Sequence, residues 1–258
     1  MMQINNNPPV PLDVIEKIDE VCNQGKEFNV YSWVPMGLGE LWAVINYGQT
    51  MGFMQPGQTV MDMGSGSGSA SLLWAVRGYN VLGIELYKNL FDASKDSILR
   101  CRDLVPKGLE IKICHGSYYP GSYIEKREKG KSIAKRIEDS LSLITGGDSI
   151  FHPIYSHGGQ DIYKRDNIDL KSIDVWYAYI WGIQGPSIME MFKQYAHKDA
   201  TLCIAGQTHK EVIKRIGLVS EPKNDYDIEW CNFSRFRFMK KPGAKRFFFP
   251  IRSDQSKQ

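Results

Sequence analysis

The sequence predicts an α/β fold in which a parallel sheet carries helices on its faces. Three observations predict it. Strand-like and helix-like stretches alternate from residue 59 onward, the strand over 59–63 runs into a turn with glycine at every second position, and the alternation resumes near residue 174 after a long break. Repeated strand–helix units of this length require parallel strands joined by right-handed crossovers. A chain of 258 residues, 42% hydrophobic and 24% charged, has the size and composition of one such domain with an insertion.

The elements follow in order. After a polar start at Met1 to Pro9, Val14, Ile15, Ile18, Val21 and Cys22 fall on one helical face, with Gly25 as a stop. A second amphipathic helix carries Leu38, Leu41, Trp42 and Ile45 and closes near Gly52, so that 10–52 forms an N-terminal helical cap. Gln55-Pro56-Gly57 is a turn. A strand over 59–63, a helix over 69–77 ended by Gly78, a strand over 80–85, a helix over 89–103 and a strand over 109–114 come next. The rhythm then breaks over 118–168. There a helix with Ile133, Ile137, Leu141 and Ile144 on one side carries Lys126, Arg127, Lys129, Lys131, Lys135 and Arg136 on the other, and a Gly-, His- and Tyr-rich stretch follows. A connection this long is an insertion, expected to act as a substrate lid. A strand over 174–181, a helix over 187–196, a strand over 200–205 and a helix over 208–216 resume the pattern. The last segment reads as a hairpin, with strands over 229–239 and 245–251 around Pro242-Gly243.

Several function classes are disfavoured. A net charge of +3 is too small to argue nucleic-acid binding on its own. The five cysteines include no C-x-x-C pair and are odd in number, which predicts neither a zinc site nor a disulfide framework and points to a reducing, cytoplasmic setting. The N-terminus lacks the basic and apolar regions of a signal peptide, and no stretch approaches the ~20 apolar residues that cross a bilayer. His152, His157 and Asp161 lack a supporting helical spacing, so no metal is expected.

The chemistry concentrates in Val60-Met61-Asp62-Met63-Gly64-Ser65-Gly66-Ser67-Gly68. Glycine permits the tight turn and lets a ligand approach the backbone, and the following helix presents its N-terminal amides to a carboxylate or phosphate. A dinucleotide site requires G-x-G-x-x-G, and Ser69 stands where its third glycine would fall. Asp62, two residues before the first glycine, sits poorly beside a pyrophosphate and well beside a positively charged amino group. Glu85 ends the next strand, where a carboxylate accepts hydrogen bonds from ribose hydroxyls.

The residues Asp62-Met63-Gly64-Ser65-Gly66-Ser67-Gly68 and Gly83-Ile84-Glu85 make the chain resemble class I, Rossmann-like S-adenosylmethionine-dependent methyltransferases. The resemblance covers roughly 47–207. It implies a seven-stranded sheet of order 3-2-1-4-5-7-6 with the last strand antiparallel, S-adenosyl-L-methionine as cofactor, and cofactor contacts from Asp62, Gly64, Ser65, Gly66, Gly68 and Glu85. Tyr47-Gly48-Gln49 is similar to the Y-G-E of the non-SET histone lysine methyltransferases, with Gln49 in place of the glutamate, and adds Tyr47 and Gln49 to the expected cofactor contacts. Val34-Pro35 and the segment 174–181 resemble a group that methylates lysine in mitochondrial proteins. Ser117, after the third strand, stands where many methyltransferases carry an acid that reaches adenine.

Tyr179 and Trp181 end the fourth strand, where this class places residues around the transferred methyl, and they are the expected catalytic pair. Tyr177, Tyr179 and Trp181 alternate with Trp176 and Ala178, so one set faces each side of the sheet. The expected partner is a methyl acceptor, a protein lysine first and a small-molecule amine or hydroxyl next, with RNA third. A nicotinamide-dependent oxidoreductase and a non-catalytic partner subunit are the remaining alternatives.

Overall fold

A computed structural model of the chain describes residues 11–23, 37–129, 161–179, 185–205, 228–230 and 236–240. Its helices are α1 (Leu12–Asn23), α2 (Leu38–Thr50), α3 (Ser69–Val76), α4 (Lys88–Arg100), α5 (Gly121–Glu128), α6 (Ile162–Arg165) and α7 (Gly185–Tyr195). Its strands are β1 (Thr59–Met63), β2 (Asn80–Glu85), β3 (Ile111–His115), β4 (Val175–Tyr179), β5 (Thr201–Ala205), β6 (Ile228–Trp230) and β7 (Phe236–Lys240).

The strands form one sheet in the order β3-β2-β1-β4-β5-β7-β6. The first five are parallel, β7 runs antiparallel to β5, and β6 runs antiparallel to β7. The register places Asp62 beside Gly83 on one flank and beside Tyr177 on the other, and Glu85 beside His115.

Alternation along the strands divides the core in two. Val60, Val81, Val175, Tyr177 and Cys203 pack under α1, α2 and α3. Met61, Leu82, Ile84, Trp176, Ala178, Leu202 and Ile204 pack against α5, α6 and α7 on the opposite face. Strands covered on both sides read as near-continuous apolar runs, which is why β1, β2 and β4 carry so few polar residues. Asp62 and Glu85 are the charged exceptions, and both belong to the first face, since they share it with Val60 and Gly83 by the two-residue period.

Two expectations need correction. The stretch 229–239 is not one strand: β6 and β7 are separate within it and pair with each other, while 245–251 lies outside the described residues. Pro242-Gly243 was the strongest turn signal nearby, and the polar Asn232-Phe233-Ser234 interval between the two short strands carries no comparable one. The expected basic face over 126–136 is not uniformly solvated either. Arg127 is only 6% exposed and donates to the Ser187 hydroxyl, and Lys126 pairs with Glu190 at 2.7 Å, so this end of α5 is fastened to α7. The described flanks of the 118–168 segment pack on the core: Tyr119, Tyr123, Ile162 and Tyr163 are buried against the second face. The helical pattern of Ile133 to Ile144, and His152 and His157, lie outside the described residues, as do Trp181 and the helix expected over 208–216.

Candidate functional site

The site is built where β1 ends. Gly64, Gly66 and Gly68 all adopt positive φ, at 83°, 56° and 91°. L-residues with a Cβ disfavour this region, so the alternating glycines are what the turn demands. The loop hangs from β2, because the Gly64 and Ser65 amides both donate to the Ile84 carbonyl at 2.9 and 3.0 Å. It closes on itself through Gly68 N–H to Ser65 O at 2.9 Å and then caps α3, whose Leu72 amide donates to Gly68 O. At Gly68 the loop also touches α4: a Cβ there would lie 3.1 Å from the Ser94 Cβ and 3.2 Å from its Cα.

Asp62 lies beneath this loop, 2% exposed. The Ser71 hydroxyl, in the first turn of α3, donates to its Oδ2 at 2.6 Å. Burial pushes the Asp62 carboxyl up to about 7; the Ser71 hydrogen bonds oppose that rise and the nearby Glu85 charge adds to it. Tyr177, its neighbour on β4, is fully enclosed, and burial together with the Asp62 charge holds the phenol protonated well above its usual range.

Glu85 is 4% exposed. Its Oε2 accepts from the Gly66 amide and its Oε1 from the Tyr87 amide, both at 2.8 Å. Burial raises its proton affinity and these backbone donors oppose the rise. The carboxylate offers about four lone-pair sites, so it retains acceptor capacity after these backbone bonds. Between the two acids stands Gly83, whose absent side chain makes room for the loop: a Cβ there would lie 3.1 Å from the Ser65 Cβ and 3.0 Å from the Ser71 Oγ.

Ser65 carries a buried hydroxyl with no hydrogen-bond partner. An orphaned polar atom of this kind costs roughly 1–3 kcal/mol, and a ligand hydrogen bond would remove that cost. An open space over Gly64, two enclosed carboxyls and an unsatisfied hydroxyl therefore converge at the carboxyl end of β1 and β2. In open α/β sheets that end is where ligands bind.

The other expected site residues divide. Ser117 follows β3, and its Oγ accepts from the Tyr119 amide at 3.1 Å, so its hydroxyl hydrogen is the part left for a ligand. Tyr179 ends β4 on the same face as Asp62, half-buried. Tyr47 and Gln49 are not brought to the loop. The Gln49 amide donates to the Tyr79 hydroxyl at 3.0 Å and its carbonyl accepts from Arg77, while the Tyr47 ring packs 6.4 Å from Phe53. Tyr79 precedes β2 and Phe53 precedes β1, at the amino edge of the sheet. At about 3.3 Å per residue the strands hold that edge roughly 15–20 Å from the glycine loop. Gln49 instead joins a structural cluster in which Arg77 stacks 4.4 Å over Trp42 and donates to Asn46.

Sequence reading passed over Ser71, did not set Tyr177 beside Asp62, and took His115 for a structural or solvated histidine. A serine just inside a helix carries no pattern of its own, and only the register shows that Tyr177 neighbours Asp62. Among the described residues no group of His, Cys, Asp and Glu is placed to hold a metal, and no helix is long and apolar enough to cross a membrane.

No protein-family model matches the chain, and no curated protein matches it. Solved structures do. A Pyrococcus horikoshii structure named for RNA methylation superposes with a TM-score of 0.51 at 11% identity, covering 89% of this chain and 98% of the other. An O-methyltransferase from Bacillus cereus, crystallised with S-adenosylhomocysteine, gives 0.48 at 10% identity over 92% and 94% of the two chains. An RNA methyltransferase from Salinibacter ruber, also with S-adenosylhomocysteine, gives 0.42 at 10% identity over 84% and 100%. At such identities the first of these similarities speaks to the fold, an α/β sheet of methyltransferase type.

Proposed function

We propose that this chain binds S-adenosyl-L-methionine and transfers its methyl group to a nitrogen or oxygen nucleophile. The observation that carries the reading is the enclosure of Asp62 and Glu85 on one sheet face, astride Gly83 and under a G-x-G-x-G loop with an orphaned Ser65 hydroxyl. The residues fit the group. The retained lone pairs of Glu85 suit the ribose diol, Ser65 and the loop amides suit the carboxylate, and buried Asp62 suits a nearby cation. Ser117 stands at the adenine side.

The cofactor would supply a sulfonium leaving group for an SN2 displacement. The chain's own share is alignment and exclusion of water, and holding reactants in near-attack geometry is worth roughly 7–11 kcal/mol. Tyr179, at the carboxyl end of β4, and Trp181 are proposed to wall the acceptor. An amine acceptor must lose its proton before attack, and a carboxylate, a tyrosine in its ionised form, or water near that wall can receive it.

A protein lysine is the acceptor we favour, on the resemblance of Val34-Pro35 and of 174–181 to lysine methyltransferases. Gln49 lends it no support, since its side chain lies at the other edge of the sheet. The 118–168 insertion, as a lid, would admit that side chain. Isothermal titration tests the cofactor: S-adenosylmethionine binds in the micromolar range, NAD does not bind, and Glu85→Ala loses the interaction. Binding of NAD instead would establish the oxidoreductase reading, and binding of neither would leave a partner subunit. Recovery of labelled methyl as methyl-lysine, rather than in RNA or a small molecule, tests the acceptor.

A further inference from the structure

We propose that His115 is a positioning residue for the adenosine end of this site, fixing the Leu86–Tyr87 turn that aims the Glu85 carboxylate. The assignment rests on the cofactor reading above. His115 is the β3 partner of Glu85, so their side chains leave the sheet on the same face. Its Nε2 lies 3.0 Å from the Leu86 carbonyl. A carbonyl can only accept, so Nε2 carries the hydrogen. The ring is seated on Phe91 of α4, with centroids 5.2 Å apart, and Arg165 donates to the His115 carbonyl at 3.1 Å.

Three successive residues of the turn are thereby held. Glu85 O accepts from the Gly116 amide at 2.9 Å, Leu86 O accepts from His115, and the Tyr87 amide donates to Glu85 Oε1. The first bond continues the sheet and the third is the carboxylate's own. His115 alone among the described residues ties the turn to the neighbouring strand through a side chain. Removing its donor releases Leu86 and lets the Tyr87 amide drift, and the ribose-binding carboxylate loses one of its backbone anchors.

Two variants separate this role from simple packing. His115→Phe keeps a ring on Phe91 and removes the donor, whereas His115→Gln keeps a donor of similar reach. Titration with S-adenosylhomocysteine and with adenosine should show both ligands weakened about tenfold by His115→Phe, the size of one hydrogen bond, and little changed by His115→Gln. The assignment is overturned if His115→Phe binds both ligands as the unsubstituted protein does, if His115→Gln loses as much as His115→Phe, or if only S-adenosylhomocysteine is weakened. Failure of the unsubstituted protein to bind S-adenosylhomocysteine overturns the cofactor reading itself, and this assignment with it.

Discussion

Ser71 donates to Asp62 across 2.6 Å inside the core, and that bond joins the first turn of α3 to the penultimate residue of β1. Neither group reaches solvent. Ser71→Ala leaves a buried carboxyl short of a donor and should destabilise the fold by about 1–3 kcal/mol. Urea denaturation measures this as a lower midpoint at unchanged slope. An unchanged midpoint would mean that the bond is not made in solution.

The same carboxyl gives stability a pH dependence. Asp62 has a pKa of about 7 when folded against 3.8 as the ordinary value. Well below pH 3.8 it is protonated in both states and costs nothing. As pH rises towards 7 the unfolded chain ionises first, the folded chain binds more protons, and stability falls. Unfolding free energies for the unsubstituted protein should therefore drop across pH 4–7 relative to Asp62→Asn, whose curve lacks this component. Parallel curves for the two proteins would show that Asp62 ionises normally.

Gly83→Ala tests the space between the two acids. The new methyl would lie 2.3 Å from the Ile113 Cδ1, 3.0 Å from the Ser71 Oγ and 3.1 Å from the Ser65 Cβ. Ile113 can rotate away, but the loop and α3 cannot without shifting, so a loss of about 1–3 kcal/mol is expected. Affinity for S-adenosylhomocysteine should fall with it, because the displaced atoms belong to the glycine loop. Full affinity in a destabilised variant would separate the packing from the site.

Gln49→Ala makes the opposite prediction. It removes partners of Arg77 and Tyr79 at the amino edge of the sheet, so the melting temperature should fall by several degrees while cofactor affinity stays within about twofold. Loss of affinity would return Gln49 to the site.

Much of this architecture is legible in the sequence, for physical reasons that differ by element. β1, α3 and β2 sit within a residue of their expected bounds because glycines punctuate them at residues 64, 66, 68 and 78. Asp62 and Glu85 stand out because charged residues interrupt apolar strands. Tyr47 and Gln49 misled because a short motif records its neighbours along the chain and not the edge of the sheet its helix reaches. The β6–β7 break was hidden because three- to five-residue strands give too few alternations to count, and Pro242-Gly243 offered a stronger turn nearby. His115 reads as an ordinary strand-end histidine until its ring is seen to meet a carbonyl in the turn that follows the adjacent strand.

The suspension of two loop amides from the single Ile84 carbonyl has a thermodynamic consequence. Ile84 is fully buried in a central strand, among the segments that open last as a sheet exchanges its amides with solvent. The loop inherits that protection at its first two residues, so its ordering entropy is lost during folding and not again when a ligand arrives. Gly64 and Ser65 should therefore exchange as slowly as the strand that carries them, whether or not the cleft above is filled.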